Sequence, residues 1–214
     1  MAATDTLRIA ELMASRLCHD LVSPVGAVGS GLELFREFGE DPDGDALALV
    51  EQSARLATER LQFFRIAFGQ AGAGRLDVSM NDLARFSAGA VASQRLRLVW
   101  PDGLPVPGAG GAKLLLNMVL LGADCLPRGG ELRVALRPAE GRLAAEVAAL
   151  ALEARLPEEL AVALAGSVPV ADLTARTVQA RWTSLVAERL GTAVAVDAVP
   201  GTGVRVAATL PAAD

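Results

Sequence analysis

The sequence predicts an α+β fold in two parts. An antiparallel helical hairpin over residues 1–70 forms a dimeric four-helix bundle, and a two-layer α/β sandwich follows over residues 75–214. Three observations carry this expectation. Apolar residues recur at spacings of three and four through the first 70 residues. A glycine-rich break, Gly69-Gln70-Ala71-Gly72-Ala73-Gly74, comes next. Beyond it, helical and strand patterns alternate.

The first helix is read from Leu7, Ala10, Ala14, Leu17, Leu21, Pro24, Val28, Gly31, Phe35 and Phe38, and the second from Leu47, Val50, Ala54, Ala57, Leu61, Phe64 and Phe68. Gly39-Glu40-Asp41-Pro42-Asp43-Gly44 is the loop between them. Met13, Cys18, Val25, Leu32 and Leu34 widen the apolar stripe of the first helix beyond what one hairpin covers. A second copy of the hairpin is the economical cover, hence a homodimer; coverage by residues 71–214 of the same chain is the alternative. In the second part, Ser79 caps a helix over 79–92 with Asp82 at the third position. Arg95 to Trp100 alternates as a strand, and Ala112 to Asp124 is an apolar helix. Residues 131–137 and 142–152 pair as strands. Short and long helices are expected over 157–165 and 174–190, and residues 192–199 and 203–210 close the fold as a hairpin through Pro200-Gly201-Thr202-Gly203.

Composition limits the function. The chain of 214 residues is 52% hydrophobic and 21% charged, enough to bury a core, and only 4% aromatic, which favours close-packed helices. Residues 1–70 hold 11 acids and 6 arginines, net −5; residues 71–214 hold 14 of each sign. An acidic first third without a basic tract speaks against nucleic-acid binding. The apolar run Leu114 to Leu126 is too short to span a bilayer and the N-terminus lacks a basic leader, so neither membrane insertion nor export is expected and the cytoplasm is the default compartment. Cys18 and Cys125 make neither a disulfide framework nor a metal site.

His19 is the only histidine, and it falls two residues past Leu17, on the outer face of the first helix. Asp20 follows directly, then Ser23-Pro24 one turn later. A proline inside a continuous helix costs ~3 kcal/mol, so a kink beside the sole imidazole breaks a local rule without an evident packing gain. Ile9, Leu12, Val22, Gly26 and Gly29 are expected on the same outer face, as apolar and small residues around a reactive group.

These residues resemble a known family. His19-Asp20-Leu21-Val22-Ser23-Pro24 is similar to the phospho-acceptor box of sensor histidine kinases, and Leu17 to Val28 resembles specifically the histidine phosphotransferase ChpT family. The likeness covers nearly the whole chain, strongly over residues 7–70 and collinearly afterwards. It implies a dimeric hairpin bundle ahead of a sandwich like the histidine-kinase ATPase (Bergerat) fold that no longer binds ATP. Set against the kinase pattern, Asn117 matches the first of two asparagines on a helix, whereas Leu121 stands where the second would hold Mg²⁺. Leucine cannot ligate a hard cation. Ala148-Ala149-Leu150-Ala151-Leu152 replaces an Asp-x-Gly-x-Gly loop, and Val168 to Leu173 lacks the glycines of a lid.

The resemblance implies a phosphorelay in which His19 takes a phosphoryl group from the receiver aspartate of a hybrid histidine kinase and a response regulator's receiver takes it on, as in the CckA-ChpT-CtrA relay. The chain itself would bind no cofactor; Mg²⁺ would arrive with the receiver. Asp20 is the acid available to fix the tautomer of His19. Arg16, one turn before, is a candidate to neutralise phosphoryl oxygens or an ordinary surface arginine, and Leu12, Arg16, Val22, Ser23 and Gly26 form the expected receiver-docking face. A hairpin fragment of residues 1–70 is expected to keep some transfer if it dimerises, with the sandwich as a docking wall. Two other readings stand beside this one: an ATP-dependent histidine kinase, against which the missing loop and Leu121 argue, and a non-catalytic dimeric scaffold or inhibitor of a two-component system.

Overall fold

The computed structural model describes residues 3–38, 44–70, 78–92, 95–199 and 201–213. Two helices come first, α1 (Ala3–Phe38) and α2 (Asp45–Ala67). At 1.5 Å per residue α1 is about 54 Å long. The two pack as an antiparallel hairpin, and Gly31 lets them close: a Cβ there would stand 2.6 Å from the Val50 side chain. Residues 39–43 of the expected loop and 71–74 of the expected break lie outside the described residues.

The second part runs α3 (Met80–Ala90), β1 (Leu96–Val99), α4 (Ala109–Asp124), β2 (Gly130–Ala139), β3 (Arg142–Leu150), α5 (Glu158–Leu164), α6 (Val178–Arg189), β4 (Ala195–Val199) and β5 (Gly203–Pro211), with a single 3-10 turn at Val170–Asp172. Ser79 and Asp82 form the capping box read from sequence, each side chain bonded to the other's backbone N–H. The sheet order is β1-β2-β3-β5-β4; β1 and β2 are parallel and every other pair is antiparallel. Leu132, Val134, Val147, Val206 and Leu210 face inward against the largely apolar α4, giving the two-layer sandwich. Pro200, in the expected closing turn, lies outside the described residues.

Two helices start three or four residues away from the sequence reading, and β4 starts three residues late. Helix α4 begins three residues early, through Gly110 and Gly111, ahead of the expected start at Ala112. The glycines serve a close approach there: a Cβ on Gly111 would meet the Pro211 carbonyl at 2.7 Å. Helix α6 begins four residues late, because Thr174 and Thr177 bond each other's backbone and hydroxyl groups in a turn before it.

The hairpin and the sandwich share one core. Ile9, Leu12 and Met13 of α1 and Phe63, Phe64 and Ala67 of α2 cluster with Leu115, Met118 and Leu173. The join is also polar. The last carbonyls of α2 have no intrahelical donor. Asn117 Nδ2 donates to the Ala67 carbonyl at 2.8 Å, Trp182 Nε1 donates to the same oxygen at 3.3 Å, and Lys113 Nζ, the only lysine, donates to the Gly69 carbonyl. Burial, followed by the charge of Arg189, holds the Lys113 ammonium below its ordinary range.

That packing corrects three expectations. Leu12 is 7% exposed and Ile9 4%, so neither belongs to an outer docking face; α1 packs against the 3-10 turn and α6. Phe64, expected on an uncovered stripe, is buried within its own chain, stacked on Phe68 and edge-on to Phe63. Among the apolar residues left uncovered are Leu7, Val25 and Leu32 of α1 and Leu47 and Leu61 of α2, each on a stripe read from sequence.

Candidate functional site

His19 stands on α1 with 88% of its side chain exposed. Its Nδ1 lies 3.1 Å from Asp20 Oδ1. A carboxylate only accepts hydrogen bonds, so this contact keeps the proton on Nδ1 and leaves the lone pair on Nε2. At 100° per residue His19 is about 120° around α1 from Val25, so the reactive ring and the uncovered apolar stripe occupy different faces.

Asp20 is held from behind. Its Oδ2 is 3.8 Å from Arg16 Nε. Arg16 is only 15% exposed; its Nη2 is 3.6 Å from Asp124 Oδ2 at the end of α4, and its Nη1 donates to the Arg176 carbonyl at 3.1 Å. Arg16 is therefore committed to the sandwich rather than free on the surface. Asp124 Oδ2 is shut from solvent with no hydrogen bond, although about a third of the side chain is exposed. Burial pushes the Asp124 carboxyl above its ordinary range; Arg16 and Arg176 pull it part of the way back. The chain of contacts runs from the sandwich through Arg16 and Asp20 to the ring.

Around His19, Val22 is 68% exposed and Ser23 and Gly26 are exposed. A Cβ at Gly26 or Gly29 would meet nothing within 4 Å, so no packing within the chain asks for glycine there. What these glycines leave is a flat strip on which another backbone can approach closely. Of the expected docking face, the structure brings together Val22, Ser23 and Gly26, places Arg16 beneath them, and removes Leu12.

The donors near His19 do not suit a resident cation. Both nearby carboxylates, Asp20 and Asp124, already face Arg16, and a divalent ion needs several oxygens free to converge. No group of three or more metal-ligating side chains occurs among the described residues. In the sandwich, Asn117 is buried, its amide divided between the Ala67 and Lys113 carbonyls, and Gln179 Nε2 donates to the Asn117 carbonyl at 2.9 Å. Leu121 is buried in the core. Residues 168–173, expected where a lid would lie, pack against α1.

Sequence reasoning missed Asp124, Arg176 and Arg60. The first two are distant in sequence and meet Arg16 only through the fold. Arg60 had an indirect signal: Pro24 deprives the Asp20 carbonyl of its donor, so some other group must supply one.

Comparison with known proteins places this geometry. Residues 80–202 match the family model of the histidine phosphotransferase C-terminal domain. Over 192 residues the chain is 35% identical to protein phosphotransferase ChpT of Brucella abortus (strain 2308), across 90% of this chain and 91% of that one. A solved bacterial phosphotransferase superposes with a TM-score of 0.77 and 32% identity, covering 97% of both chains.

Proposed function

The chain belongs to the histidine phosphotransferase ChpT family, a phosphorelay phosphotransferase, and from that premise we propose that His19 is its phospho-acceptor and Asp20 the group that orients and stabilises it. The observation that carries this reading is the sole histidine, exposed, with Nδ1 on a carboxylate. The Nε2 lone pair attacks the phosphorus of a receiver's phospho-aspartate. The N–P bond forms, the bond from phosphorus to the aspartate oxygen breaks, and its electron pair returns to that aspartate as carboxylate. The ring becomes cationic because Nδ1 keeps its proton, and Asp20 neutralises that charge. A second receiver's aspartate reverses the step. The transition state is loose and rich in negative charge, so positioning and a cation dominate. The Mg²⁺ of the receiver supplies the cation, since the donors beside His19 are engaged with Arg16.

The partners in this reading are receiver domains of a hybrid histidine kinase and of response regulators, docking over Val22, Ser23 and Gly26, in the cytoplasm. No described helix is long and apolar enough to cross a membrane. The chain works as a homodimer. Leu7, Val25 and Leu32 follow one another at 18 and 7 residues, near whole numbers of helical turns, and Leu47 and Leu61 are 14 apart. The sandwich binds no ATP: Asn117 is spent on the join to α2 and Leu121 on the core. Its role is structural and recognitional.

Incubation with a phosphorylated receiver tests the central assignment. Acid-labile label is expected on this chain, and none on His19→Ala of unchanged fold. Substantial labelling of the variant would overturn it.

A further inference from the structure

Pro24 lies inside α1 and is buried. Lacking an N–H, it gives nothing to the carbonyl of Asp20 four residues earlier. That carbonyl belongs to the residue whose carboxylate holds the ring of His19. It is not left without a donor. Arg60 of α2 reaches across the hairpin and donates from Nη1 to the Asp20 carbonyl at 2.6 Å. Its Nε donates to the Gly89 carbonyl, at the end of α3, at 3.2 Å. Gly89 brings that end close: a Cβ there would stand 2.6 Å from Cβ of Glu59. The planar guanidinium points its donors in fixed directions, which a lysine ammonium cannot do. One side chain thus ties the proline-interrupted turn of α1 to two other helices at a single main-chain oxygen.

We propose that Arg60 is a positioning residue for phosphoryl transfer: by holding the Asp20 carbonyl that Pro24 leaves without its helical donor, it sets the Asp20–His19 hydrogen bond and the direction of Nε2. The proposal rests on His19 as acceptor. It makes Pro24 and Arg60 a matched pair. With alanine at position 24 the backbone N–H returns to the Asp20 carbonyl, and Arg60 becomes largely dispensable for the site.

The experiment is a double-mutant cycle in the full-length protein: wild type, Arg60→Met, Pro24→Ala and the combination, with Arg60→Lys in both backgrounds. Two quantities are read. One is the transfer rate from a phosphorylated receiver. The other is the ¹⁵N resonance of Nδ1, which belongs to one residue because His19 is the only histidine. Arg60→Met is expected to slow transfer at least about tenfold with proline at position 24, and less than about threefold with alanine there, by the coupling such neighbours show. The Nδ1 resonance is expected to shift only in the proline background. Losses of equal size in both backgrounds, or an Nδ1 resonance indifferent to Arg60, would overturn the proposal. If Arg60→Met fails to fold, Arg60→Lys gives the same comparison, since it keeps the charge and loses the fork; equal losses there overturn it equally. The resonance does not depend on transfer. Were His19 not the acceptor, only the rate arm would fall silent.

Discussion

Leu61→Glu is the sharpest test of the dimer. Leu61 is 52% exposed on α2, in line with Leu47 and alongside the stripe of Leu7, Val25 and Leu32 on α1. Burying a whole leucine side chain stabilises by ~1.5–3 kcal/mol. Half of that, about 1 kcal/mol, is at stake in each protomer, and the two-fold repeats it. A glutamate in the same place also loses solvation without gaining a partner, a further cost of at least about 1 kcal/mol per protomer. The sum is about 4 kcal/mol, or roughly a thousandfold in Kd. Sedimentation at micromolar concentration should show wild type as a dimer and Leu61→Glu as a folded monomer. Ser23→Glu adds the same charge about 160° around α1 from Val25 and should leave the dimer intact. Phe64→Glu should instead unfold the chain, because Phe64 lies in the core of its own protomer. A monomeric wild type, or a Leu61→Glu protein of dimer mass, would refute the assignment of the seam.

Asp20→Asn should slow labelling by at least about tenfold with little change in melting, since it removes the charge that steadies a cationic ring; an unaltered rate would exclude Asp20 from the step. Asn117→Ala should lower stability by ~1–3 kcal/mol, by weakening the capping of the Ala67 carbonyl, and calorimetric titration of the wild type with Mg-ATP should give no binding heat; micromolar affinity would restore a nucleotide to the sandwich. Asp124→Asn should raise Tm at pH 7. The Asp124 carboxyl titrates above its unfolded value of 3.8 because burial outweighs its arginine neighbours. The native state therefore binds that proton more tightly, the charged form costs stability above the raised value, and the cost fades as pH falls toward 3.8. The gain from asparagine should fade over the same interval, and a lower Tm at pH 7 would mean the ion pair with Arg16 dominates. A fragment of residues 1–70 should show little cooperative melting, because Ile9, Leu12, Met13, Phe63 and Phe64 lose their cover and the Ala67 and Gly69 carbonyls lose Asn117, Trp182 and Lys113. This revises the expectation that the fragment keeps some transfer if it dimerises; a stably folded dimeric fragment that transfers would reinstate it.

The periodicity of residues 7–68 and the alternation after residue 79 were enough to read a hairpin followed by a sandwich, because both are patterns of neighbours in sequence. Ser79 with Asp82, and the hairpins β2–β3 and β4–β5, were legible for the same reason. What a stripe packs against was not. The apolar residues of α1 extend around more than one face, and sequence spacing does not say which face meets α2, which the sandwich and which neither. Ile9, Leu12 and Phe64 were misplaced on that account alone. Glycine misled at Gly110 and Gly111 because the same residue ends helices and permits close packing, and only the approach of Leu190 to Gly110 and of Pro211 to Gly111 distinguishes the two.

At the candidate site, the exposure of His19 and its pairing with Asp20 were legible because the two residues are adjacent and lie on the outer side of α1. The support beneath them was not, because each of its bonds joins residues far apart in the chain: Arg16 to Asp124 and Arg176, Arg60 to Asp20 and Gly89. Pro24 was visible as an anomaly without an explanation. Its physical meaning appears only with α2 in place, where the oxygen it leaves without a helical donor becomes the point at which the second helix grips the first. The exposed ring is then backed by groups that lie beneath it in the fold. Arg16 couples the Asp20 carboxylate to the sandwich, and Arg60 couples the Asp20 main chain to α2 and α3. In the proposed function the sandwich therefore has work to do that needs no nucleotide. It covers the core end of the hairpin, caps the last turn of α2, and fixes the carboxylate that orients the histidine.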